Sequence, residues 1–194
     1  FMNYLILTPD GVGSTILQRL ITMCLYLEGQ KVTNTHELTN GLEIKQGLAV
    51  KNGDLRYTQN LSQIISVLDQ SSKDTALVSR LAKYHVDRRN DSTDEQKDFF
   101  HFLKNFFDKI VMCERNNIFE YAMSWSIRQK SGIFNVYEKD HRNKVLQVSE
   151  VDESYFIKKL QEYVEYQNWI QTHFPNIQKI SYEDMLTDSD KTIE

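Results

Sequence analysis

Short apolar runs and segments of helical spacing alternate along this chain. The continuous apolar run within 3–8 predicts a buried strand that stops at Pro9. From 16 to 27 the apolar residues recur at helical intervals, so a helix should follow, and Glu28-Gly29 should end it. The same reasoning predicts strands at 75–79, 109–113 and 177–181, and helices at 61–68, 92–107, 118–128 and from 152 to just before Pro175.

This order of elements predicts an α/β fold, because strands that alternate with helices form a parallel sheet connected by crossovers. Ser92 and Glu95 fit a capping box at the start of the helix predicted at 92–107. Segment 30–54 is polar and weakly periodic, and we expect it to be irregular or partly helical. A charged turn is expected at 87–91.

The length of 194 residues suits a single domain, residues 1–194. We expect a new helix to begin near Glu194 and a further C-terminal segment to follow it. With 40% hydrophobic and 26% charged residues, the composition is that of an ordinary globular protein.

Charge and cysteine content argue against several classes of partner. The net charge is −4, whereas nucleic acid and anionic membranes attract basic surfaces, so we expect neither as a partner. Segment 16–27 is shorter than the roughly 20 apolar residues of a membrane span. Cys24 and Cys113 lie in apolar stretches without metal-ligand spacing. We therefore expect a cytoplasmic protein with no disulfide and no metal.

The turn after the first strand is rich in glycine and hydroxyl groups. Gly11 and Gly13 would let backbone N–H groups approach an anion, and Ser14 and Thr15 could donate further hydrogen bonds. The alternative is a tight strand-to-helix connection in which Ser14 is an ordinary N-cap. No lysine precedes Ser14, so the turn does not match the nucleotide-triphosphate loop and argues against ATP hydrolysis.

The segment Gly13-Ser14-Thr15-Ile16-Leu17 resembles the second half of the phosphosulfate loop in sulfotransferases that use 3′-phosphoadenosine 5′-phosphosulfate (PAPS). The resemblance implies a P-loop-like central parallel sheet flanked by helices, and a cofactor site at Gly11, Val12, Gly13, Ser14 and Thr15, with the backbone amides around Val12, Gly13 and Ser14 as its donors. The first half departs from the pattern, because Gly11 stands where the family has a basic residue. Cations from elsewhere that could substitute are Lys45, Lys51, Arg56 and Arg80.

A second segment, 110–125, resembles the part of the same superfamily that binds the 3′-phosphate. The resemblance assigns this role to Arg115, at the end of a strand, and Ser124, in the next helix. Their separation is one residue longer than the commonest family spacing, and the continuation resembles the bacterial trehalose-type enzymes. The alternative is that Arg115 merely pairs with Glu114, Glu120 or another acid, and that Ser124 has no special role.

A third segment, 180–186, resembles the strand followed by Tyr-Glu-Asp-Leu that these enzymes carry near this point, with methionine in place of the final Leu. We interpret Glu183 and Asp184 as structural residues that cap the next helix or pair with a base. The three matches occur in the family's order.

Transfer of a sulfuryl group needs a general base near the acceptor hydroxyl. Thr35-His36-Glu37-Leu38 resembles the glutamate-bearing loop of the trehalose-type enzymes, which makes Glu37 the first candidate for the base and His36 the second. Alternatively, both are exposed loop residues. His85 is a further candidate if 75–79 is a strand, and His101 looks like a partly exposed helical residue.

The resemblance therefore implies a sulfotransferase that converts PAPS to adenosine 3′,5′-bisphosphate (PAP) without a metal. Its acceptor would be a small hydroxylated molecule, with a carbohydrate implied by the subgroup alone. Two alternatives remain open. One is a nucleotide-binding module of the same fold with impaired catalysis, which the glycine at position 11 favours. The other is a P-loop-type kinase, against which the missing lysine counts.

Overall fold

The computed structural model describes residues 1–9, 11–133 and 150–187. Its strands are β1 Tyr4–Thr8, β2 Val32–Glu37, β3 Leu42–Lys45, β4 Leu48–Lys51, β5 Ala76–Ala82, β6 Lys109–Glu114 and β7 Gln178–Ser181. Its helices are α1 Ser14–Leu27, α2 Leu61–Ser71, α3 Lys83–Asp87, α4 Thr93–Phe106, α5 Ile118–Ser131, α6 Glu153–His173 and α7 Tyr182–Thr187, with short 3-10 turns at Leu38–Asn40 and Gly53–Leu55. Five strands form one parallel sheet in the order β2-β5-β1-β6-β7. The predicted α/β class is confirmed.

Alternation along β1 separates the core into two layers. Leu5 and Leu7 pack into a cluster with residues of α2, α4 and α6, whereas Ile6 faces the opposite layer and packs with α1. All three side chains are fully buried, as expected for a central parallel strand covered on both faces. None of the helices in the described residues combines the length and apolar character needed to cross a bilayer.

Most of the predicted elements are confirmed with boundaries that shift by a few residues. The strands predicted at 75–79, 109–113 and 177–181 correspond to β5, β6 and β7. At the start of α4, Ser92 and Glu95 form the predicted capping box, in which the backbone N–H of Ser92 donates to Glu95 Oε2 at 2.8 Å. Asp152 caps α6 by accepting from the N–H of Tyr155.

The prediction for 30–54 is wrong, because this segment contains strand β2 at the edge of the main sheet. The inward positions of β2 are threonines rather than aliphatic residues, so its apolar pattern is weak. Their hydroxyls are satisfied by β5 and the residue before it: Thr35 Oγ1 lies 2.6 Å from Ser79 Oγ, and the Thr75 hydroxyl donates to Thr33 Oγ1 at 3.0 Å. Hydrogen bonds between strands therefore stabilise a strand that hydrophobicity does not reveal.

The same segment also contains the antiparallel hairpin formed by β3 and β4. Its two turn residues, Gln46 and Gly47, have φ of 52° and 79°. Positive φ at both central positions is what a tight hairpin turn requires, and asparagine or aspartate usually occupies the first position. Because glutamine occupies this position, the sequence does not predict the hairpin.

The strand order places a crevice at the carboxyl edge of the sheet. From β1 the chain passes through α1 to β2 at one edge, whereas from β6 it passes through α5 and α6 to the region of β7 at the other. The parallel strands β1 and β6 are neighbours, and the chain connections run to opposite sides of the sheet from them. Such a switch point in strand order is where parallel sheets bind ligands.

Candidate functional site

Most of the site candidates from the sequence lie at or directly after the carboxyl ends of parallel strands. The glycine-rich turn follows β1, Glu37 ends β2, and Arg115 follows β6. His85 lies in α3 directly after β5, and Tyr182 and Glu183 begin α7 directly after β7. Because the strands are parallel, these residues gather along one edge of the sheet.

The turn after β1 leaves backbone donors at the start of α1. Gly11 and Gly13 both have φ of 83°, and Gly13 rather than Ser14 is the N-cap of α1. No side chain among the described residues caps this helix, so N–H groups of its first turn are left for an external acceptor. Val12 is fully buried, and the Cys113 thiol donates to its carbonyl at 3.4 Å, which ties the turn to β6.

Arg80 places a cation at the start of α1. Its Nη1 donates to Thr15 Oγ1 at 2.6 Å and lies 3.5 Å from Ser14 Oγ. On the other side its Nε lies 3.2 Å from Glu37 Oε1, and both side chains are largely buried. Arg80 therefore connects the first candidate base with the hydroxyl groups of the glycine-rich turn.

The backbone of Arg115 is fixed by two hydrogen bonds, whereas its side chain makes one long ion pair. Its N–H donates to the Tyr163 hydroxyl at 2.8 Å, and that hydroxyl donates to the Arg115 carbonyl at 3.0 Å. Its Nη1 lies 3.8 Å from Glu183 Oε1, which confirms the prediction that Glu183 pairs with a basic side chain. The Nε of Arg115 is buried and has no hydrogen-bond partner in the described part of the chain. A buried donor without a partner is costly, and an anion would satisfy it.

Tyr182 joins the two candidate phosphate sites. A Cβ atom placed on Gly13 would lie 2.4 Å from Tyr182 Cδ2, so the ring rests directly on the turn. The Arg115 guanidinium carbon lies 3.8 Å from the centre of the same ring. Sequence reasoning did not assign Tyr182 a role at the site, although its position directly after a strand in the third matching segment was the available signal.

Helix α5 contributes two residues at the turn that the sequence did not single out. A Cβ atom on Gly11 would lie 2.7 Å from Trp125 Nε1 and 3.2 Å from Arg128 Nη1. Ser124 lies on the same face of α5 as Arg128, one turn nearer the N-terminus, and it is partly buried. Within the described residues it makes no hydrogen bond to Arg115. Trp125 ends the second matching segment and Arg128 lies in its continuation, which was the available signal in the sequence.

The two candidate bases have different surroundings. Glu37 is largely buried beside Arg80, whereas His36 is exposed and has a φ of 58° at an irregularity in β2. Partial desolvation, together with Arg80 and Lys51, lowers the pKa of His36. The alternative that both are exposed loop residues is therefore wrong for Glu37, whereas His36 is exposed, although both residues lie in β2.

His85 is a buried structural residue rather than part of an open cleft. It is 2% exposed, and its Nδ1 lies 2.7 Å from the Tyr57 hydroxyl. The Tyr84 ring packs against it, with the ring centres 3.9 Å apart and the planes tilted by 35°. Burial first, and then Arg56 and Arg88, lower the pKa of His85 to about 3, so the imidazole is neutral at physiological pH.

This burial makes stability depend on pH. Between pH 6.5 and about 3 the unfolded chain binds a proton at His85 that the folded chain does not, so the free energy of unfolding falls as the pH falls. We expect the stability difference between wild type and His85→Gln to shrink from pH 7.5 to pH 4.5, because the variant lacks this titration. Urea unfolding of both proteins measures it, and a gap that stays constant or widens would contradict the result.

A cavity of about 430 Å³ opens beside the turn at Pro9. Its wall includes Lys83, Tyr84, Trp125 and Lys159, and the Lys159 ammonium lies 4.6 Å from the centre of the Trp125 ring. Lys83 pairs with Asp87 and Lys159 with Glu162, each at 2.6 Å. The volume and mixed aromatic and charged lining suit a small polar molecule.

Within 1–9, 11–133 and 150–187, no group of three His, Cys, Asp or Glu side chains could hold a metal ion. Cys24 and Cys113 are both free thiols, and burial raises the pKa of Cys113 to about 12, which makes it a poor nucleophile. Comparison of the sequence with protein-family models found no match, and comparison with curated proteins found none either.

Proposed function

We propose that this protein is a PAPS-dependent sulfotransferase that transfers a sulfuryl group to a small hydroxylated acceptor. The observation that carries the proposal is the contact of Tyr182 with both Gly13 and Arg115. Through it, the glycine-rich turn and the arginine that the resemblance assigns to the 3′-phosphate share one wall of the crevice.

The donors at this wall fit a nucleotide with two phosphate groups. At the turn, backbone amides and the Ser14 and Thr15 hydroxyls would hold the 5′ end, with Arg80 beside them. At β6, the buried Nε of Arg115 supports a second anion site, which would hold the 3′-phosphate together with Ser124. These two groups of donors follow neighbouring strands.

The acceptor hydroxyl would lie beside Glu37, on the side of the turn where Glu37 pairs with Arg80. PAPS supplies the sulfuryl group when it is bound. On the protein side, Glu37 would accept the proton of the acceptor hydroxyl, and its ion pair with Arg80 keeps its carboxylate close to the turn. A carbohydrate acceptor rests on the resemblance to the trehalose-type enzymes.

We expect Arg115→Ala to weaken PAP binding by about 10- to 150-fold, because a hydrogen bond to a charged group contributes about 1.5–3 kcal/mol. Lys109→Ala is the matched control. It removes one positive charge from the exposed start of the same strand, at the opposite edge of the sheet. Calorimetric titration measures both, and equal affinities in the two variants would reject the role of Arg115.

The function itself is tested by incubating the protein with radiolabelled PAPS and mixed sugars and following label transfer. Transfer to a sugar supports the sulfotransferase. PAP binding without transfer to any acceptor would favour the module with impaired catalysis. Tight ATP binding without PAP binding would favour the kinase.

A further inference from the structure

Gly11 lacks a side chain because helix α5 occupies the space next to it. The Cβ position of Gly11 falls 2.7 Å from Trp125 Nε1 and 3.2 Å from Arg128 Nη1, and the φ of 83° adds strain for any other residue. A side chain at position 11 would require the side chains of Trp125 and Arg128 to move away from the turn. Because position 11 has no side chain, the guanidinium of Arg128 can lie next to the turn, where the family has a basic residue in the turn itself.

Arg128 differs from Arg80 and Arg115 in its partners. Arg80 lies 3.2 Å from Glu37 and Arg115 lies 3.8 Å from Glu183, whereas no carboxylate in the described ranges pairs with Arg128. Its guanidinium carbon lies 5.4 Å from the centre of the Trp125 ring. The aromatic ring orients the guanidinium without neutralising it.

Helical geometry relates Arg128 to the proposed 3′-phosphate site. Ser124 and Arg128 are four residues apart in α5 and therefore lie on one face of the helix, one turn apart. The N-terminal part of this face lies near the end of β6, which α5 follows, and Arg128 reaches the turn after β1. One helix face thus spans both proposed phosphate sites.

We propose that Arg128 is an anion-binding residue of the glycine-rich turn, and that it holds the phosphate on the 5′ side of the nucleotide. This inference rests on the proposed function for the identity of the nucleotide. The anion site itself rests on the left-handed glycines, the uncapped start of α1 and the guanidinium at Gly11. Together with Arg80, Arg128 places positive charge on both sides of the turn.

The test titrates wild type, Arg128→Gln and Arg128→Lys with PAP, adenosine 3′-monophosphate and inorganic pyrophosphate. Lys130→Ala is the control, since it removes an exposed charge two residues away on the same helix. We expect Arg128→Gln to bind PAP and pyrophosphate about 10- to 150-fold more weakly, as loss of a charge-assisted hydrogen bond predicts. Binding of adenosine 3′-monophosphate should stay within about 2-fold of wild type, because it lacks the 5′-phosphate.

Arg128→Lys should retain part of the affinity for PAP, which shows that charge rather than folding is measured. Failure of wild type to bind PAP, with pyrophosphate binding that still depends on Arg128, would reject the nucleotide and keep the anion site. Unchanged PAP and pyrophosphate affinity in Arg128→Gln would overturn the inference, and so would an equal loss for PAP and adenosine 3′-monophosphate. Absence of pyrophosphate and PAP binding in wild type would overturn it as well.

Discussion

Gly13→Ala is expected to destabilise the protein by about 2–5 kcal/mol and to abolish nucleotide binding. A left-handed conformation costs a residue with a Cβ atom about 1–2 kcal/mol. The methyl group would also lie 2.4 Å from Tyr182 Cδ2, and overpacking of this kind typically costs about 1–3 kcal/mol. Movement of Tyr182 to relieve the overlap would disturb Arg115, which stacks on the same ring.

Gly29→Ala separates these two contributions. Gly29 has a φ of 81°, close to that of Gly13, but nothing lies within 4 Å of its Cβ position. Its substitution should therefore cost about 1–2 kcal/mol from backbone strain alone and leave PAP binding intact. Urea unfolding followed by circular dichroism measures both variants. Equal losses of stability, with PAP binding retained in Gly13→Ala, would show that the contact with Tyr182 is unimportant.

Glu37→Gln is expected to reduce sulfuryl transfer by about 100- to 10,000-fold while PAP binding stays within a few-fold of wild type. Glutamine keeps the shape of the side chain and can still lie beside Arg80, so the start of α1 should be undisturbed. It cannot accept the acceptor's proton. Single-turnover transfer of label from PAPS measures the effect.

His36→Gln is the matched variant for the second candidate base. His36 is exposed next to Glu37, and its removal should change transfer only slightly. A large loss in His36→Gln with normal transfer in Glu37→Gln would reverse the two roles. Equal transfer by wild type and both variants would remove the acid-base assignment from this segment.

The sequence predicts the core of the sheet well because that core is built from aliphatic side chains. Leu5, Ile6 and Leu7 are fully buried, and β1 was predicted from this run alone. By contrast, β2 buries Thr33 and Thr35, whose stability comes from hydroxyl groups on a strand some 40 residues away in the chain. The pattern of residues within one segment does not reveal hydrogen bonds to residues far away in the sequence.

Some residues of the candidate site could likewise be assigned from the sequence, whereas others could not. Residues next to strand ends, such as Gly13 and Arg115, could be assigned because the order of elements already places them at one edge of the sheet. Arg128 and Tyr182 contact the turn from segments far away in the sequence, and only packing brings them there. No local pattern distinguishes Arg128 from other arginines on exposed helices, and the substitute cations named from the sequence did not include it.

The most direct test of the account is a crystal structure of the protein soaked with PAP. We expect one phosphate on the backbone amides at the start of α1 and the other against Arg115, with Tyr182 between the two groups of donors. Absence of the nucleotide from the density, or a nucleotide bound away from the ends of β1 and β6, would contradict the account.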